Sequence, residues 1–167
     1  MRQENDVNRL NPVNAFSLNR LNNINNYETG LSSTLGFDYK IKKSNEENFN
    51  LSVAQVVNEK ENKKMGSKSS MDEKLSDLVG ETNYLVNDNI NLNYNFAIDQ
   101  NYKDLNYTEI GAKMDLNPIT IKFDFIEEAK HIGDQKYFKT KVDFAKTNNG
   151  LLSFSTKRNL VTDSSEF

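Results

Sequence analysis

The sequence contains no cysteine, no tryptophan and a single histidine, and it has only 2 proline and 7 glycine residues among 167. Without cysteine, this chain can form neither a disulfide framework nor a thiolate metal site. His131 alone cannot form a histidine-rich zinc site. These absences remove the small disulfide-rich domains and the common zinc-binding modules from the possible classes.

Long hydrophobic runs are also missing, so no transmembrane helix is predicted. The first residues, MRQENDVNRLNPVN, lack the apolar region of a signal peptide. The net charge of −3 gives no electrostatic footprint for nucleic acid, which is not expected as a partner. The hydrophobic content is 36%, below the roughly 45–50% of ordinary soluble domains, so a large two-layer core is difficult to build.

Asparagine and aromatic residues are abundant instead, with asparagine at 26 positions and aromatic residues at 10% of the chain. The clearest pattern is alternation with period two, seen best over residues 89–99, NINLNYNFAID. Apolar residues occupy one parity there, and asparagine occupies most of the other. Because a β-strand sends successive side chains to opposite faces, this segment is predicted to be a strand with one apolar and one polar face.

The same alternation recurs downstream, and charged residues avoid the apolar parity in the alternating parts of these strands. The side chains predicted on the apolar, lipid-facing side are Leu92, Tyr94, Phe96, Ile110, Met114, Ile121, Phe123, Val142 and Phe144. The side chains predicted on the polar, lumen-facing side are Asn91, Asn93, Lys113, Lys122, Asp124, Lys139 and Lys141.

About eight strands are predicted in all, at approximately 29–42, 47–58, 77–86, 89–99, 107–116, 119–128, 136–146 and 150–159. The first three alternate less regularly, and the adjacent Val56 and Val57 predict a β-bulge or a strand end. Short turns rich in Asn, Gly and Pro alternate with longer polar connections at 59–76, 100–106 and 129–135. An antiparallel meander would then have its tight turns at one end and its long loops at the other.

This layout is typical of bacterial outer-membrane barrels, and strands of this length suit a tilted span of the bilayer. Tyr107 and Tyr137, near the long loops, are predicted to belong to an interfacial aromatic girdle. The predicted fold class is all-β, an antiparallel up-and-down meander of about eight strands that forms part of a larger transmembrane β-barrel. A soluble eight-stranded barrel or sandwich alternates in the same way with its apolar side inward, and it stays open as an alternative.

No group of residues points to catalysis, a metal or a cofactor, so the chain is not expected to be an enzyme. Glu127 and Glu128 are sequence neighbours on opposite strand faces, which favours a role at a loop edge over acid–base chemistry. The glycine spacing matches no phosphate-binding loop. The charge run at 60–64 is interpreted as a solvated loop.

Three segments carry a resemblance to a known family. Residues 15–42, AFSLNRLNNINNYETGLSSTLGFDYKIK, contain Phe16, Asn19 and Arg20 ahead of Glu28 and Gly30. Residues 49–56 follow as a strand in which alanine replaces the family's usual glycine, and residues 75–81 match the opening of the next strand. Over about residues 10–160 the order and spacing of these motifs resemble the barrel domain of the LptD family, the lipopolysaccharide (LPS) assembly proteins also called organic solvent tolerance proteins.

The resemblance implies a large outer-membrane barrel with a periplasmic β-jellyroll, in a Gram-negative cell envelope, that delivers LPS to the outer leaflet. It implies an LptE-like plug lipoprotein and an LptA-like periplasmic bridge as partners, beside LPS and outer-membrane lipid. The polar-face residues named above would then line the lumen and could contact LPS.

This chain departs from the family in its lack of a signal peptide, a jellyroll and cysteines. We therefore expect a fragment of the C-terminal barrel domain, with an extracellular-type loop at 1–28, barrel strands over 29–161 and a truncated end at 162–167. A porin-like or autotransporter-type passive barrel and a soluble lipid- or sugar-binding β-barrel are the alternative functions.

Overall fold

The computed structural model describes residues 9–18, 20–21, 28–43, 46–65, 69–129, 135–146, 150–162 and 164–166. Some features predicted from the sequence fall wholly or partly outside these ranges. His131, much of the connection at 129–135, and parts of the turns at 42–45 and 147–150 lie outside the described residues.

The described chain forms one antiparallel sheet of nine strands in sequence order, which confirms the predicted all-β meander. The strands are β1 (Ser32–Lys43), β2 (Glu46–Asn58), β3 (Leu78–Asn87), β4 (Ile90–Ile98), β5 (Leu105–Leu116), β6 (Ile119–Glu128), β7 (Gln135–Lys146), β8 (Gly150–Asn159) and β9 (Ser164–Glu166). The sheet is open, with β1 and β9 at its edges, as expected of part of a barrel. The three-residue β9 pairs with the end of β8 and has no counterpart in the alternation pattern.

Tight turns and long loops lie at opposite ends of the sheet. Asp88 and Asn89 alone separate β3 from β4, and Asn117 and Pro118 alone separate β5 from β6. The first of these turns is held by the side chain of Asn87, which accepts a hydrogen bond of 2.9 Å from the backbone N–H of Asn89. The connections after β2 and β4 are longer, and both lie at the other end.

Direct cross-strand pairing keeps each parity on one side of the sheet from β1 to β8, except at register shifts near the ends of three strand pairs. Asn83 of β3 lies opposite Asn93 of β4, and Asn93 in turn lies opposite Gly111 of β5. We call the side that carries Asn93 the polar face. The other side, which carries Leu92 and its partners Tyr84 and Ala112, is the apolar face.

The register corrects two predictions from the sequence. Val56 and Val57 pair continuously with β1, so the bulge is wrong, whereas the alternative of a strand end agrees with the end of β2 at Asn58. The register shift in this pair of strands comes between Ile41 and Lys42. Tyr107, predicted in an aromatic girdle, is 4% exposed and lies opposite Ala97 on the polar face. In both places the side chain on the polar face is drawn into a protein core.

The buried core lies on the polar face, near the long-loop end of β2–β5. Its members are Leu10, Ala15, Leu21, Ala54, Val56, Met65, Met71, Val79, Ala97 and Tyr107. The apolar face instead leaves many large hydrophobic side chains exposed, including Phe37 at 60% and Phe154 at 63%.

Among the described residues, no helix has the length and apolar character needed to cross a membrane.

Candidate functional site

A row of small and apolar residues crosses the polar face near the long loops. Ala54 of β2 pairs with Val79 of β3, Val79 pairs with Ala97 of β4, and Ala97 pairs with Tyr107 of β5. These positions interrupt the mostly polar composition of this face. They form an apolar floor on which other parts of the chain pack.

The segment before β1, which we call the strap (residues 9–18 and 20–21), covers part of this floor. Its Leu10, Ala15 and Leu21 are buried in the same cluster as the floor residues. A Cβ atom on Gly36 of β1 would overlap the ring of Phe16, so glycine at that position leaves room for the ring. Leu18, in contrast, is fully exposed. The strap therefore has an inner side that packs on the sheet and an outer side that does not.

Local hydrogen bonds shape the strap into a compact turn around the 3₁₀ helix at Asn14–Phe16. The side chains of Asn11 and Asn14 each accept a hydrogen bond of 2.8 Å from the backbone N–H of the other residue. The bond donated by Asn14 satisfies the first backbone N–H of the helix, which has no partner within the helix. This explains why asparagine is useful at both positions.

Arg20 joins the strap to the first strand. Its guanidinium donates to the backbone oxygen of Ala15 at 2.7 Å, to Ser32 Oγ at 3.1 Å and to Thr34 Oγ1 at 3.0 Å. It also forms an ion pair with Glu28. One planar side chain with five donors can fix several acceptors at once, which a lysine could not do.

Arg9 joins the other end of the strap to β5 and β6. The guanidinium carbon lies 3.4 Å from the centre of the Tyr107 ring, in a cation–π contact. Nη1 of Arg9 lies 3.4 Å from Oε2 of Glu128, whose side chain is 3% exposed. The charge of Arg9 thus offsets that of a buried carboxylate at the end of β6. Beside Arg9, a cleft of about 240 Å³ opens over Glu81, Asn95 and Glu109.

The described parts of the loop between β2 and β3, residues 59–65 and 69–77, complete the cover. Ser76 anchors it to β2, because its backbone N–H donates to the oxygen of Val56 and its Oγ accepts from the N–H of Val56, both at 2.9 Å. Met65 and Met71 project into the buried cluster. At the base of the loop, Asn106 Nδ2 donates to Asp77 Oδ2 at 2.8 Å, and both side chains are buried. We call the strap and this loop together the cap.

Beyond the cap, the polar face is open and carries the predicted lumen-facing residues on β4 to β7. Asn91 pairs with Lys113, Lys113 with Lys122, and Lys122 with Lys141. One row closer to the cap, Asp124 lies opposite Lys139. The structure thus brings the lysines of three neighbouring strands together, which sequence alternation does not reveal.

Two of those lysines have acidic partners on their own strands. Lys113 Nζ lies 2.6 Å from Asp115 Oδ2, and Lys141 Nζ lies 2.9 Å from Asp143 Oδ1. In the part of the chain that the structure describes, no ion pair is recorded for Lys122. Within the same residues, no group of His, Asp or Glu is arranged to hold a metal ion.

The predicted lipid-facing residues lie together on the opposite side of the sheet. Leu92 and Ile110 leave 39% and 51% of their surface exposed. Their neighbours make contacts along the face, such as the stacked rings of Tyr94 and Phe96, with centroids 5.5 Å apart. Phe123 stacks on Phe138 in the same way, at 6.1 Å.

Comparison with protein-family models gave one finding that bears on this arrangement. The model of LptD, LPS transport system D, matches residues 7–151. The chain belongs to the LptD family. No curated protein and no solved structure gave a match.

LptD proteins are lipopolysaccharide-transport proteins of the outer membrane, not a family of enzymes. The structure shows where the residues that resemble the LptD family lie. Phe16 lies over Gly36, Arg20 clamps the strap to β1, and Glu28 pairs with Arg20. Asn19 lies outside the described residues.

Sequence reasoning did not connect Arg9 of the cap with Glu128 at the end of β6. Arg9 and Glu128 are 119 positions apart, and no local pattern connects them. A usable signal was nevertheless present, because Val56, Val79 and Ala97 are apolar on the polar parity of three consecutive strands. Such a run on the wrong side of a sheet indicates that something packs there.

Proposed function

We propose that this chain forms part of the wall of an outer-membrane β-barrel that delivers LPS to the outer leaflet. The apolar face contacts bilayer hydrocarbon. The polar face lines a hydrated lumen through which the saccharide passes. The observation that carries the proposal is the position of the core, which lies on the polar face under the cap, whereas the described residues leave the apolar face uncovered.

The exposed apolar face supports this orientation. A soluble barrel or sandwich needs its apolar side chains to pack in its own interior, since contiguous exposed apolar patches are rare on soluble monomers. Here Phe37, Ile110 and Phe154 each expose half or more of their surface. They lie on β1, β5 and β8, so the exposed apolar surface extends across the sheet. A lipid environment removes that surface from water without a second protein layer.

The cap supports the assignment of the other face. It occupies the long-loop end of the polar face, and in outer-membrane barrels the long loops are extracellular. The strap belongs to the expected loop at 1–28, and the strands over 29–161 form the wall. Family membership favours LPS transport over a passive porin-like barrel, and it motivates an LptE-like plug and an LptA-like bridge as partners.

Single cysteines test the orientation cleanly, because the sequence has no cysteine of its own. We propose the two variants Leu92→Cys and Asn93→Cys, each carrying one spin label. The two positions are adjacent in β4, so the labels lie on opposite faces of the sheet. With the full chain reconstituted in bilayers, the label at 92 should be relaxed mainly by oxygen and the label at 93 mainly by a water-soluble nickel chelate. Equal accessibility at both positions, or the inverse pattern, would contradict the proposal.

A crosslinking experiment in cells tests the cargo. A photo-reactive residue in place of Asn93 should capture LPS during transport, and the same residue in place of Leu92 should capture membrane lipid instead. The pair is matched in strand and depth, so a difference reports the face alone. Absence of LPS at 93, in a correctly inserted protein, would argue against a lumenal path along this wall.

A further inference from the structure

The row formed by Lys113, Lys122 and Lys141, which we call the lysine row, lies on the open polar face of β5, β6 and β7. We infer that the lysine row is a binding site for phosphate groups. The three residues are paired directly, Lys113 with Lys122 and Lys122 with Lys141. The inference rests on the proposed function in one respect, namely that the phosphate arrives on a saccharide carried through the lumen.

The direct pairing of the three lysines is unfavourable by itself, and Asp115, Asp124 and Asp143 offset part of the repulsion. Like charges directly opposite each other on neighbouring strands are destabilising. An acidic residue on a neighbouring strand could have stood opposite Lys122. This is the case in the adjacent row, where Asp124 lies opposite Lys139. Three lysines stand in direct opposition on a face where asparagine is the common neutral residue, and this points to an anion as an additional partner.

The existing ion pairs leave the centre of the row available. Asp115 and Asp143 hold the ammonium groups of Lys113 and Lys141, and both acids lie on the turn side of the row. Both pairs are substantially exposed, and pairs of this kind contribute only about 0–1 kcal/mol, so an incoming anion can compete for the two lysines. Asp115, Asp124 and Asp143 attract Lys122 electrostatically, but within the described residues it forms no direct ion pair that an incoming anion would have to break.

The spacing suits phosphate chemistry. Neighbouring strands lie about 4.8 Å apart, so three lysines on adjacent strands can direct their flexible ammonium groups to one tetrahedral anion. Lysine acts as a point charge toward phosphate and does not require the planar, two-pronged geometry of arginine. A phosphate monoester, with up to two negative charges and three free oxygens, uses all three donors.

The test titrates inorganic phosphate into the full chain folded in uncharged detergent micelles. Lysine labelled with ¹³C at Cε reports each site by NMR. The expected result is a saturable shift at the three row lysines, which Lys122→Gln weakens about tenfold in apparent affinity, the size expected for one charge-assisted hydrogen bond. The matched control is Lys40→Gln, on the same face of β1 and far from the row, which should change the affinity less than about twofold. Uniform, unsaturable shifts at every lysine would mean bulk screening only and would overturn the inference.

Two further readouts separate binding from a structural role. Without phosphate, Lys122→Gln should keep or raise the thermal midpoint, because it removes like charges from direct opposition. Lys122→Arg, which keeps the charge, should keep the affinity within about twofold. A lowered midpoint together with unchanged phosphate affinity would show that Lys122 is structural and that the row is not a site.

Competition distinguishes the sources of phosphate. Glucosamine 1-phosphate should displace inorganic phosphate from the row, whereas phosphatidylglycerol added to the micelles should not. Displacement by phosphatidylglycerol alone would overturn the inference of a saccharide-borne ligand. If the chain inserts into bilayers but shows no saturable phosphate binding, the inference fails and the proposed function stands. If it binds phosphate but fails to insert, the proposed function fails and the site stands.

Discussion

Val56 and Val57 are adjacent in β2 and identical in type, yet the first is fully buried and the second is 38% exposed. Val56 points to the polar face, where the cap covers it, and Val57 points to the apolar face, where none of the described residues forms a covering layer. The difference shows that burial in this protein does not follow from hydrophobicity. It follows from which side of the sheet the rest of the chain packs on.

The same contrast separates the two ends of the polar face. Near the long loops, this face is an apolar floor under the strap and the β2–β3 loop. Near the tight turns, it is open and carries the lysine row with its acidic partners. One end is organised as a protein core and the other as a wet, charged surface.

The largest effect is expected inside the cap. Leu21→Ala should lower the free energy of unfolding by about 2–5 kcal/mol, because the side chain is buried and its removal leaves a cavity. Leu18→Ala is the matched control in the same segment, and it should be close to neutral because Leu18 is fully exposed. Chemical denaturation of the full chain in micelles measures both. Equal losses would show that the strap does not pack as described.

The next effect tests the apolar face. Ile110→Lys should cost about 2–4 kcal/mol of stability in a bilayer if that face contacts hydrocarbon near the midplane. Ile110 is 51% exposed within the protein, so the same change should cost little if water covers this face. Asn93→Lys, one strand away on the polar face, serves as the control. Folding assays in vesicles compare the two, and a harmless lysine at 110 would remove the membrane assignment.

The smallest effect concerns the attachment of the strap. Arg9→Gln should weaken the local stability of the strap by about 0.5–2 kcal/mol, because it removes the cation–π contact with Tyr107 and the charge beside Glu128. Arg9→Lys should lose less, since it keeps the charge but not the flat stacking surface. Hydrogen exchange at the amides of Leu10 and Ala15 reports this local opening. Unchanged exchange in both variants would show that the strap is held by its apolar contacts alone.

Much of the fold was predictable because strand alternation and turn chemistry are local properties. The alternation within residues 89–99 is enough to assign each side chain to one face of the sheet. The Asn117–Pro118 dipeptide is enough to predict the turn at that position. The irregular first strands were harder to interpret. Val56 and Val79 broke the pattern, and a sequence alone does not show whether such a residue marks a bulge or a covered patch.

The candidate sites depended on pairs of distant residues. Arg9 lies close to Glu128 only because the strap crosses the sheet from before β1 to the end of β6. The lysines of the row were individually predictable as lumen-facing. Their direct alignment depends on the registers of two separate strand pairs, and shifting either register by two residues would keep every side chain on its face and still break the row.

By itself, the sequence determined that this protein is a meander of strands with one apolar and one polar side, because side-chain direction alternates with every residue of an extended chain. Only the tertiary structure decided that the core forms on the polar side, under a strap and a loop, and that three lysines face one another across β5 to β7. The reason is that packing and register join residues far apart in the chain, and alternation fixes neither of them.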